Sequence, residues 1–210
     1  MYAARKRMSI AIGAGVVVVL LGCAAYLLKI PPFEEQAGEI TENSLCDSMG
    51  PSPQSVASLK KALPGAASYG FADDVTLRGS VQDDSYTSTC FVSGGGKELM
   101  TVRTQMMRAE SARSWVDSEI KQYAGDPSRL TSFEAGERGV ASPSVAAVFV
   151  PCVSRGVIPG GQYNLSVVVH LKEPGEVSAA RTRSALIDLA RSAATYAHSE
   201  AKCEMPSRIS

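Results

Sequence analysis

Between residues 8 and 28 the chain carries no charged side chain, and the run includes Ile10, Ile12, Val16, Val17, Val18, Val19, Leu20, Leu21, Leu27 and Leu28. At about 1.5 Å of rise per residue, a helix over this run covers roughly 31 Å, which matches a bilayer hydrocarbon core of about 30 Å. The sequence therefore predicts a single membrane-spanning helix over residues 8–28, acting as a signal anchor. Arg5, Lys6 and Arg7 precede the run, whereas Glu34, Glu35, Glu39 and Glu42 follow it. The positive-inside tendency places residues 1–7 in the cytoplasm as a basic tail and everything after Lys29 outside the cell membrane.

A second reading starts from Leu20-Leu21-Gly22-Cys23, which has the form of a bacterial lipobox behind a basic n-region and a short apolar segment. Processing there would make Cys23 a lipidation site and replace the helix with a lipid anchor. The apolar stretch continues for five residues beyond Cys23, which favours the retained helix. An ordinary cleaved signal peptide is the third reading. All three export the rest of the chain.

Export gives the cysteines their meaning. With Cys23 inside the apolar run, four remain: Cys46, Cys90, Cys152 and Cys203. An even number outside the cytoplasm predicts two disulfides. Of the three possible connectivities, the expected one joins Cys46 to Cys90 and Cys152 to Cys203, because each pair then ties a helical region to a nearby strand.

Residues 29–44 contain Pro31-Pro32, several glutamates and little that is apolar, which reads as a stiff, solvated stalk. A folded extracytoplasmic domain is expected over residues 45–204, with a short tail at 205–210. Val56, Leu59 and Leu63 share one face of a short helix that Pro64-Gly65 ends. Three strands are expected next, around Val75 to Val81, Tyr86 to Val92 and Leu99 to Met106, with Gly94-Gly95-Gly96 turning between the last two. A helix is predicted over residues 109–124, where Ala112, Trp115, Val116, Ile120 and Tyr123 recur at helical spacing. Two strands follow, one near residues 145–153 and one in which Tyr163, Leu165, Val167, Val169 and Leu171 alternate with other residues, joined through Pro159-Gly160-Gly161. A long alanine-rich helix over residues 176–198 closes the domain. The order α-β-β-β-α-β-β-α, with adjacent strands joined by tight loops, predicts an α+β fold in which helices cover an antiparallel sheet.

Leu45-Cys46-Asp47 at the first helix, Thr89-Cys90-Phe91-Val92 in a central strand, the segment from Gly136 to Gly139 and the terminal alanine-rich helix together carry a resemblance. The chain from about Leu45 to Cys203 resembles a group of actinobacterial cell-envelope proteins of unknown function, many of them lipoproteins. Their domains are similar to the PsbP/Mog1-like α+β sandwich. The pair Cys152 and Cys203 departs from that group's pattern. The resemblance implies a fold and an envelope location, and it brings no catalytic residues.

Chemistry is sparse. Only His170 and His198 could serve as imidazole bases; the first falls on the strand face opposite the apolar residues, and the second suits the negative end of a helix dipole. No Gly-x-Ser-x-Gly, His-Glu-x-x-His or Cys-x-x-Cys pattern occurs. Asp73-Asp74 and Asp83-Asp84 read as solvated turns that match no EF-hand spacing. Trp115 and Tyr123 read first as core residues that could instead line a pocket. Neither a catalytic residue, a cofactor nor a metal ligand is expected. Removing Arg5, Lys6 and Arg7 from 21 basic residues leaves 18 against 21 acidic ones, so nucleic acid is not an expected partner. The expected function is a non-catalytic binding or accessory module of the bacterial cell envelope, held by one membrane span and acting on an unknown envelope protein or ligand. The alternatives are an envelope hydrolase working with carboxylates alone, and the ectodomain subunit of a membrane signalling or transport complex.

Overall fold

In the computed structural model of the chain, the described residues are 38–108, 111–158 and 161–209. The expected spanning helix, Cys23 and most of the stalk lie outside them. No helix among the described residues is long and apolar enough to cross a membrane.

The described residues form an α+β domain built on one sheet. Its strands are β1 (Tyr69–Thr76), β2 (Thr87–Gly94), β3 (Lys97–Arg108), β4 (Thr131–Phe133), β5 (Arg138–Ala141), β6 (Val145–Ile158) and β7 (Gly161–Leu171). They lie in the order β1-β2-β3-β7-β6-β5-β4, and every neighbouring pair is antiparallel. The last strand in the chain is thus inserted at the centre, between β3 and β6. Long helices are α1 (Pro53–Ala62) and α3 (Ala179–Glu200); the segment between β3 and β4 contains the single turn α2 (Ala112–Trp115).

Period-two alternation decides which side chains meet the long helices. Cys90 and Val92 of β2, Met100 and Val102 of β3, Val148 and Val150 of β6, and Leu165, Val167 and Val169 of β7 join Leu59, Leu186, Leu189, Ala190 and Ala193 in one core. The small alanines along α3 let that helix settle close to the sheet. The opposite sheet face carries a second, smaller core, in which Trp115, Ile120 and Ala124 cover Val140 of β5 and Val145, Ala147 and Phe149 of β6.

Both disulfides are formed. Cys46–Cys90 ties the segment before α1 to β2, and Cys152–Cys203 ties β6 to the chain just beyond α3. A register shift at Pro151 to Val153 accompanies the second bridge. Proline has no N–H for the ladder, so a bulge there costs little. The Cys152 carbonyl is left to accept the N–H groups of Glu204 and Met205.

Several boundaries differ from expectation. The first strand lies at Tyr69–Thr76 and not around Val75 to Val81; Leu77 is 59% exposed. The loop after it is organised by the Asp83 carboxylate, which accepts the N–H groups of Gly79 and Ser85. Two short strands, β4 and β5, were not expected, because three or four residues are too few to establish a period. Within the helix expected over residues 109–124, the described residues 111–124 form a chain of short turns: α2 is followed by a π turn at Val116–Ile120 and a 3-10 turn at Lys121–Tyr123. Residues 38–44, expected in the stalk, pack on the domain: Ile40 is buried, and the Gly38 N–H donates to the Ala66 carbonyl. The tail is also held, with Ile209 buried and the Arg208 carbonyl accepting the Gly136 N–H.

Candidate functional site

The two halves of the second sheet face differ in composition. Over β6, the outward positions are Val145, Ala147 and Phe149, and they are buried under the α2 segment. Over β2 and β3, the corresponding positions are Thr87, Thr89 and Phe91, then Thr101, Arg103 and Gln105. Threonines, arginine and glutamine gain nothing from an apolar cover, so the α2 segment stops over β6 and β7. The step between covered and uncovered halves is a cleft of about 410 Å³.

Register fixes the cleft floor. Phe91 lies opposite Thr101, which lies opposite His170; Thr89 opposite Arg103, opposite Val168; and Thr87 opposite Gln105, opposite Ser166. Directly opposed residues in antiparallel strands share a face. These three rows of three place nine side chains on one surface, about 10 Å across the strands and about 14 Å along them. Glu119 and Tyr123 form the wall from the turns that follow α2, and Lys172 stands at one end.

Trp115 anchors that wall. It is fully buried, its ring lies 5.2 Å from that of Phe149, and its Nε1–H donates to Ser166 Oγ at 2.8 Å. The Ser144 hydroxyl, reaching the carbonyls of Tyr123 and Ala124, holds the wall's far end. The π turn between these two anchors carries Glu119. Such turns insert a residue into a helix and re-aim the side chains around it.

Charges in the cleft are unevenly partnered. Lys172 Nζ lies 2.7 Å from Glu98 Oε1, and the Thr101 hydroxyl donates to the same oxygen. Those contacts with Lys172 and Thr101 hold the Glu98 carboxyl below its ordinary range. The other ion pairs among the described residues are Arg108 with Asp84 and Lys121 with Asp117. Arg103 and Glu119 belong to none of them. His170 is half-buried, with its ring 5.0 Å from Tyr123. Burial lowers its pKa first, the nearby Lys172 ammonium lowers it further, and Glu98 opposes both. A neutral imidazole is therefore the form at pH 7.

The remaining residues singled out from sequence lie elsewhere. His198 Nε2 is 2.7 Å from the Met205 carbonyl and fastens the tail. Asp73 accepts from the Ser48 N–H and hydroxyl on the other side of β1. Trp115 is core, whereas Tyr123 reaches the cleft. No group of three or more His, Cys, Asp or Glu side chains suited to a metal ion occurs among the described residues. The cleft residues on β2 and β3 belong to no sequence motif; their alternation with buried neighbours was the available signal.

No protein-family model matches the chain, and neither the curated proteins nor the solved structures contain a match.

Proposed function

We propose that the chain is a membrane-tethered module of the bacterial cell envelope that binds a small ligand, without transforming it, in the cleft over β2, β3 and β7. The observation that carries this reading is the uncovered half-face: three cross-strand rows of polar and aromatic side chains opposite a wall held by a buried tryptophan. A volume of about 410 Å³ falls within the range of about 300–1,000 Å³ common for small-molecule sites. Two disulfides fit a domain that works in an oxidising exterior. The uncharged run before Lys29 and the resemblance to actinobacterial envelope proteins support the same location.

A binding role is favoured over a hydrolytic one by what surrounds His170. Its ring neighbour is Tyr123 and not a carboxylate, and no serine or cysteine nucleophile in the cleft hydrogen-bonds to it among the described residues. Nucleophilic catalysis by a serine or cysteine needs such a hydrogen-bonded base.

The test uses the full chain in lipid nanodiscs. Ligand-observed NMR with extracts of envelope small molecules should yield binders, and Val168→Trp or Thr89→Tyr, which fill the cleft, should abolish their signals. Binders indifferent to both plugs refute the cleft. Turnover of cell-wall glycan that disappears in Glu119→Gln would replace the binding reading with the hydrolase. Intact mass of the mature protein distinguishes an acylated Cys23 from a retained helix.

A further inference from the structure

Resting on that reading, we propose that the ligand is a zwitterion, carrying one carboxylate and one ammonium group and no larger than about a dipeptide, with Arg103 receiving the carboxylate and Glu119 the ammonium.

Arg103 and Glu119 both line the cleft, yet neither forms an ion pair among the described residues, whereas Lys172 at the rim is neutralised by Glu98. Arg103 is exposed and Glu119 half-buried, so a ligand entering the cleft takes water from part of each side chain. Burying either charge without a partner is costly. A neutral ligand would leave both charges uncompensated, and a simple anion would satisfy Arg103 while facing Glu119. A molecule with both charges compensates the two together.

Their placement suits such a molecule. Arg103 occupies the middle row of the floor, between Thr89 and Val168, while Glu119 projects from the π turn of the wall. The charges thus come from different elements on different sides of the cavity. Arginine's planar fork matches a carboxylate, and the Thr89 hydroxyl and Gln105 amide adjoin it to take up further oxygen lone pairs. The ligand's body has apolar neighbours too. Phe91 is 43% exposed, and Tyr123 and Val168 line the same space.

Size sets the upper limit. A volume of about 410 Å³ corresponds to a cube about 7 Å on a side, which is about two extended residues at roughly 3.4 Å each. Besides the paired Lys172 and Glu98, two titratable groups face this region. His170 is neutral at pH 7, and Asp74 lies opposite Thr89 on β1, one strand outside the floor. Asp74 does not line the cleft, whereas Arg103 and Glu119 do.

The test is calorimetric titration of the full chain in nanodiscs with alanyl-phenylalanine and three blocked forms: N-acetylated, C-terminally amidated, and both. The free dipeptide should bind, and each single block should weaken binding about tenfold or more, as expected for loss of a charge-assisted contact. Arg103→Gln should erase the difference between acid and amide, and Glu119→Gln the difference between amine and acetylamine. Both variants should keep the parent's thermal midpoint, because neither side chain is part of a core. If the doubly blocked form binds as well as the free dipeptide and is expelled by Val168→Trp, the zwitterion inference falls while the binding module stands. Equal binding of the N-acetylated acid also overturns it. Failure of all four probes to bind overturns the inference too, leaving the cleft itself to be judged by the plug variants.

Discussion

Replacing Trp115 with alanine tests whether the cleft wall is held by one residue. Trp115 is fully buried, has its ring 5.2 Å from that of Phe149 and donates to Ser166, which is itself 2% exposed. A buried tryptophan removes about 200 Å² from water, worth about 5 kcal/mol at about 25 cal/mol per Å², and alanine restores a small part of that. Losing the indole donor leaves the Ser166 hydroxyl without its partner, at about 1 kcal/mol or more. Partial collapse offsets some of the sum, so a loss of about 4 kcal/mol is expected, within the usual range for such truncations. Because Trp115 belongs to the smaller core, the damage should be local. Hydrogen exchange should accelerate in residues 111–124, with α1 and α3 still protected, and urea unfolding followed by circular dichroism should report the global part. Trp115→Phe keeps the contact with Phe149 but removes the donor, and should cost about 1–2 kcal/mol. A loss below 1 kcal/mol for the alanine variant, or deprotection of α3 before the wall, would refute the two-core reasoning.

Other perturbations follow from the same geometry. The disulfides close loops of 44 and 51 residues, for which chain entropy gives about 4 kcal/mol each; paired Cys→Ser variants should lose about that much in urea unfolding, and unchanged midpoints would contradict it. Gly136 has φ +59° and its added Cβ would lie 2.3 Å from the Phe149 carbonyl oxygen, whereas Gly95, also at φ +59°, meets nothing within 4 Å. Gly136→Ala should therefore cost about 2–4 kcal/mol and Gly95→Ala about 1, by thermal denaturation. His170 is held below its ordinary 6.5 by burial, so the unfolded chain takes up a proton before the native one does. Stability should be full above about pH 6.5 and fall as pH drops from there toward the depressed native value, and His170→Gln should flatten that part of the profile.

Much of the main core was legible from period alone. Tyr163, Leu165, Val167, Val169 and Leu171 alternate along β7, and Leu186, Leu189, Ala190 and Ala193 form one stripe on α3; all are buried together. The short strands at Thr131–Phe133 and Arg138–Ala141 were not legible, because they hold their places through pairing with each other and with β6. The wall was legible only as a helix. Its π turn depends on Trp115 and Ser144 being fastened at two separated points, which no local propensity encodes.

Which side chains share a surface was already set by residue order, because alternation along each strand is a property of the backbone. Residue order also determined that Val145, Ala147 and Phe149 demand a cover and that Thr101, Arg103 and Gln105 do not. That β7 lies between β3 and β6, so that His170 and Ser166 stand beside Thr101 and Gln105 and Glu119 lines the same cleft as Arg103, came from the assembled fold. Strand order and register arise from competition among distant segments to bury apolar area while pairing every backbone group. That competition is settled by the whole chain at once, so the cleft exists in no segment read alone.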